Sequence, residues 1–121
     1  LSFWRKEVIE PALNQETQRH IDEQRSWIAR EPGNALPYRN LAQLYRIQGR
    51  QEEALGLLLE AVRLDSSFGG AHAELAEIYA VRGDTTAAWR HARAAESNGD
   101  PAAAALLRRH GVPEETPNDP N

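Results

Sequence analysis

The sequence predicts an all-α fold, a short α-solenoid of antiparallel helix pairs, and three observations predict it. Sliding the chain by 34 residues superposes Leu41 on Leu75, Ala42 on Ala76, Tyr45 on Tyr79, Gly49 on Gly83, Ala54 on Ala88 and Ala61 on Ala95. A period of that size marks stacked helical units, each too small to bury its own apolar face. Inside the unit, Leu41 and Tyr45 are four residues apart, as are Ala54 and Leu58, so each set shares one helix face. No stretch alternates apolar and polar residues as a half-buried strand does.

Ser2 to about Ile9 is expected to form a short helix with Ser2 as its cap and Trp4, Val8 and Ile9 on one side, interrupted by Pro11. A second helix is expected from Gln15 to Arg30. Its apolar stripe of Ile21, Trp27 and Ile28 is thin, with His20 and Gln24 beside it, and Pro32 and Gly33 end it. Residues 1–34 therefore read as a degenerate first repeat or an N-terminal cap that covers the helix starting near Ala35. Residues 35–68 and 69–100 are the two clear repeats, with helices at about Leu36–Gln48, Gln51–Leu64, Gly70–Arg82 and Thr85–Asn98. Pro37 falls in a first turn, where its missing N–H costs little. Gly49 and Gly83 suit a left-handed helix end, and Asp84 suits the next N-cap. Ala42 and Ala54 permit close approach of paired helices, and Ala61 leaves room for the following unit.

Residues 101–111 read as a capping helix, opened by Asp100 and Pro101 and stopped by Gly111 and Pro113. Leu106 and Leu107 are expected on the preceding helix, with Arg108, Arg109 and His110 toward water at the negative helix end. Residues 112–121 hold three prolines and three acidic side chains and predict no packed element.

Composition narrows the function. The net charge is −4 and the basic residues are spread along the chain, so no basic stripe exists to grip nucleic acid. Cysteine is absent, which removes disulfides, thiolate metal sites and cysteine nucleophiles. Methionine is also absent, and a start at Leu1 fits a removed leader or an excised piece. No apolar run is long enough to insert across a bilayer. Phe3 and Trp4 ahead of Arg5 and Lys6 fit either the interfacial end of an anchor or a helix turn burying two aromatics.

Chemistry-bearing motifs are not found. His20, His72, His91 and His110 lack ligand spacing; HExxH, GxSxG, GxxxxGK[ST] and GxGxxG are absent. The repeat register puts His20 and His72 at packing places, which predicts satisfied, partly buried imidazoles. Neither catalysis, a metal nor a cofactor is expected.

Tyr38, Leu41, Ala42, Tyr45, Gly49, Ala54, Leu58 and Ala61 fill in turn the places of a tetratricopeptide repeat, which this unit resembles; Ser66 stands where proline is usual. The next unit resembles it too, with His72, Ala92 and Asp100 as departures. The resemblance implies a right-handed α-solenoid and a protein–protein interaction module whose concave groove is lined by the first helix of each repeat. Carried over, the groove residues are Leu36, Arg39, Asn40, Gln43, Arg46 and Ile47, then Ala73, Glu74, Glu77 and Val81. Asn40, Arg39 and Gln43 are the expected polar contacts, since an amide both donates to and accepts from a peptide backbone. Arg39, Gln43 and Arg108 resemble part of the clamp by which some members hold a terminal carboxylate. Glu74 and Ala104 replace the amide and the lysine of that clamp, and an anion there repels a carboxylate. The expected partner is a protein or peptide segment bearing both charge signs. Self-assembly into a homo-oligomer, and a regulatory or tethering role within a longer membrane-anchored or catalytic chain, are the alternatives.

Overall fold

In the computed structural model, which describes residues 5–114, six α-helices follow one another: α1 (Glu10–Arg30), α2 (Ala35–Ile47), α3 (Gln51–Leu64), α4 (Gly69–Val81), α5 (Thr85–Ser97) and α6 (Ala102–Arg109). One π-helical turn, Arg5–Ile9, leads into α1. No strand occurs among the described residues, and none of their helices is long and apolar enough to cross a membrane. The places expected for Ser2, Phe3 and Trp4, and for the tail from Glu115 onward, lie outside the described residues.

Helices α2 to α5 begin and end within one residue of the predicted bounds, because their ends are chemically marked. Asn34 Oδ1 accepts from Leu36 N at 3.0 Å to open α2, and Asp84 Oδ1 accepts from Ala87 N at 3.1 Å to open α5. Gly49 and Gly83 take φ of 76° and 80° and turn the chain back after α2 and α4. The turns are copies: Arg50 N donates to Tyr45 O, and Asp84 N to Tyr79 O, each at 2.9 Å. Ala42, Ala54, Ala61, Ala76, Ala88 and Ala95 are buried where α2 meets α3 and α4 meets α5, so the backbones approach closely.

Two apolar clusters make one continuous core. The first joins Ile21 of α1 to Leu41, Tyr45, Leu58, Leu75 and Ile78, so α1 does cover α2. The second sets Trp89 among Ala76, Ala88, Ala92, Ala103, Ala104 and Leu107. Of the two leucines expected on the preceding helix, only Leu107 is buried; Leu106 is 40% exposed. Beyond α6 the chain runs back along α5, where Val112 O accepts from Trp89 Nε1 at 3.2 Å and Glu114 pairs with Arg93 at 2.9 Å.

The N-terminal part departs from expectation twice. Pro11 does not interrupt the helix: it sits in the first turn of α1 directly after the π turn. The wider π turn relieves the clash between the proline ring and the preceding carbonyl. Nor is there a hairpin before Ala35. The chain reversals need the left-handed glycines Gly49 and Gly83, and one period earlier stands Gln15. A side chain there disfavours that backbone, so the helix continues through the place of the turn. Residues 5–16 consequently overhang, every one of them exposed.

Candidate functional site

Helices α2, α4 and α6 contribute to one face, and a groove of about 450 Å³ runs along it between α4 and α6. Its floor is made of small residues, Gly70 and Ala73 from α4 and Ala102, Ala103 and Ala105 from α6, with Leu106 on one wall. Small side chains leave a channel between two helices that larger ones would fill. Arg39, Glu74, Glu77, Asp100 and Arg109 stand around it.

Several of the polar residues expected to meet a partner are engaged with one another. Arg39 Nε donates to Glu74 Oε1 at 2.7 Å, and Gln43 Nε2 donates to the same oxygen at 3.0 Å. Arg46 lies 3.6 Å from Glu77. These contacts brace α2 against α4. Asn40 Nδ2 donates to Gln24 Oε1 at 3.2 Å and ties α2 to α1. Only 11% of the Glu74 side chain is exposed, and its Oε2 has no hydrogen-bond partner. Burial therefore pushes the Glu74 carboxyl above the usual range, against the opposing pull of Arg39 and Arg46. Replacing Arg39 by Ala strands this carboxylate, and the expected loss is about 2 kcal/mol in urea unfolding. Adding Glu74→Gln should recover most of it; an unaltered midpoint for Arg39→Ala would mean that the brace carries no weight.

The remaining expected groove residues scatter. Leu36 lies at the rim of α2 beside Asp65 and Phe68. Val81, 90% exposed, borders a hollow with Arg46 and Glu77, and Ile47, 73% exposed, borders another with His20 and Gln24. Arg108 is turned away from the groove: it pairs with Glu96 at 2.9 Å and lies over the Trp89 ring, 5.5 Å from its centroid. Helix α6 does not keep the 34-residue register: α5 has 13 residues where α3 has 14, and Leu107 takes the buried place that Leu75 holds in α4. Arg109 lines the groove instead and has no ion pair among the described residues.

A sequence model of the Tetratricopeptide repeat family matches residues 14–107. The chain belongs to the tetratricopeptide repeat family. Tetratricopeptide repeats are generally non-catalytic protein–protein interaction modules. No curated protein shows significant similarity to the chain.

Within the second tetratricopeptide repeat, a histidine pair stands where the first has Tyr38 and Leu57, both packed against its core. His72 stands one period after Tyr38, and His91 one period after Leu57. Tyr38 OH donates to Pro32 O at 2.8 Å, and His72 Nε2 donates to Ser66 O at 2.9 Å, the same bond one repeat later. With Nε2 protonated, neutral His72 has only Nδ1 left to accept, so His91 Nδ1 donates to it across 3.0 Å. The rings stack at 5.3 Å, and Tyr79 stacks on His91 at 5.6 Å. Burial, reinforced by His72 and Arg90, pulls the His91 pKa down to about 4. His20 is the partly buried, satisfied imidazole expected of it, its ring nitrogens 3.2 Å from Glu16 and 3.3 Å from Glu23. Sequence reading missed the pair because His72 and His91 were weighed singly; the 34-residue register sets them opposite each other.

Proposed function

We propose that this chain is a non-catalytic interaction module that takes a segment of a partner protein in the groove between α4 and α6. The observation that carries the reading is the alanine-floored channel flanked by charges of both signs, Arg109 from α6, Glu77 from α4 and Asp100 ahead of α6. Such a channel suits a segment with an apolar side chain between charged neighbours. A smaller apolar hollow at its edge, lined by Ala76, Ala80 and Leu107, has room for little more than a methyl group. Arg39, Gln43 and Arg46 then act as positioning residues that fix α2 against α4, and Ala73, Leu106 and Arg109 as contacts.

The test is affinity capture from the source cell with the wild-type chain, Ala73→Arg and Arg109→Glu as baits. Ala73→Arg fills the channel and Arg109→Glu inverts one flank. Capture should fall about tenfold for each while helical circular dichroism is retained. Equal capture by all three would place the binding face elsewhere.

A further inference from the structure

The place left open beside α1 has a shape the repeats themselves define. In each full repeat a leading helix packs antiparallel on a trailing one, and α1 occupies the trailing place, residues 17–30 aligning with α3. Ala54, Leu58 and Ala61 of α3 are buried under α2. One period earlier the same places hold His20, Gln24 and Trp27, all partly exposed, because no leading helix covers them. A hollow of about 250 Å³ lies there between α1 and α2, with Leu44 and the largely bare Ile47 on its far wall.

We propose that two copies of this chain pair through α1, each seating its overhang, residues 5–16, in the open leading-helix place of the other. The overhang's described part, residues 5–16, already reaches nearly the length of a leading helix, 12 residues against 13 in each of α2 and α4. It has apolar side chains to bury, since Val8, Ile9 and Leu13 are 46%, 48% and 60% exposed. Leu13, His20 and Trp27 recur at seven-residue spacing and so fall on one stripe of α1. Two such helices laid antiparallel with Leu13 on His20 put Ile9 opposite Gln24 and Lys6 beside Trp27 and Glu31. Antiparallel is also the direction a leading helix takes on its trailing partner.

The same register sets Glu10 opposite Glu23, each already paired within its own chain, with Arg5 and Arg19, and offers one new charge pair. Lys6 has no ion pair among the described residues. The Glu31 carboxylate accepts from Trp27 Nε1 at 2.9 Å and Asn34 Nδ2 at 3.2 Å but meets no cation there. The pairing joins them, and twofold symmetry makes every contact twice.

Sedimentation velocity over a range of concentrations tests the proposal, with Leu13→Glu and Ile47→Arg as variants. Both residues are exposed, so circular dichroism and the urea midpoint should hold. The wild-type chain is expected to dimerise, and each variant to raise the dissociation constant about tenfold or more. Mixing the two variants should restore association. One of the two contacts is then native, and the other sets the carboxylate introduced by Leu13→Glu against the guanidinium introduced by Ile47→Arg, a new ion pair. A chain that stays monomeric at every concentration, a dimer indifferent to both variants, or a mixture that fails to reassociate would each overturn the proposal.

Discussion

Trp89→Ala is expected to destabilise the chain by about 3–5 kcal/mol, a large share of the roughly 5–15 kcal/mol that holds a domain of this size together. Trp89 is 1% exposed and stands in a cluster otherwise built of alanines and Leu107. Alanine walls have no rotamers with which to close the space an indole leaves, so the cavity term adds in full to the lost burial. The substitution also removes the bond from Nε1 to Val112 O and the ring beneath Arg93 and Arg108, 6.0 and 5.5 Å from its centroid. Helix α6 and residues 112–114 depend on that surface, and a stacked array frays from its end. Urea unfolding followed by hydrogen exchange should show the midpoint falling and α6 amides losing protection before those of α2. Trp89→Phe keeps most of the buried ring and should cost well under half as much. A loss below about 1 kcal/mol for Trp89→Ala would mean that α6 is held by something other than this side chain.

What the sequence made legible is what repeats. Caps and glycines mark helix ends within a residue, so Asn34, Gly49, Gly83 and Asp84 make the boundaries of α2 to α5 readable. Small alanines at fixed places declare which faces touch. Features that break the repeat were harder to read, each for a physical reason. Pro11 looked like a stop because a proline ring clashes with the helix behind it, and a π turn removes the clash. The missing glycine at Gln15 was visible, but its consequence, one long helix in place of a hairpin, needs the geometry of the reversal. Arg108 leaves the groove because α6 does not keep the 34-residue register, Leu107 taking the buried place of Leu75. Arg39, Gln43 and Glu74 meet one another in the structure, and whether such residues bind outward or brace inward depends on the separation of α2 and α4, which no spacing rule encodes.

Acid should unfold this chain through its second repeat, and the sign follows from the histidine pair. His91 titrates near 4 in the folded chain and near 6.5 when unfolded, so the native state favours the neutral ring. Its contribution is complete above pH 6.5 and is lost as the pH falls toward 4, at roughly 1.4 kcal/mol per pH unit, because only the unfolded chain takes up the proton. Between pH 7 and 4.5 that amounts to about 2–3 kcal/mol. Glu74 acts oppositely, since its raised carboxyl favours the fold as it becomes protonated. The exposed carboxylates with lowered pKa, Glu53, Glu60 and Glu96 among them, keep their contribution down to about pH 4.5 and lose it as the pH falls further. The discriminating variant is His72→Tyr with His91→Leu, which transplants the Tyr38 and Leu57 pair of the first repeat and leaves every carboxylate in place. Urea midpoints measured from pH 7.5 to 4.5 should fall steeply for the wild-type chain and much less for the double variant. Parallel curves would assign the acid sensitivity to carboxylates and remove the histidine pair from the account.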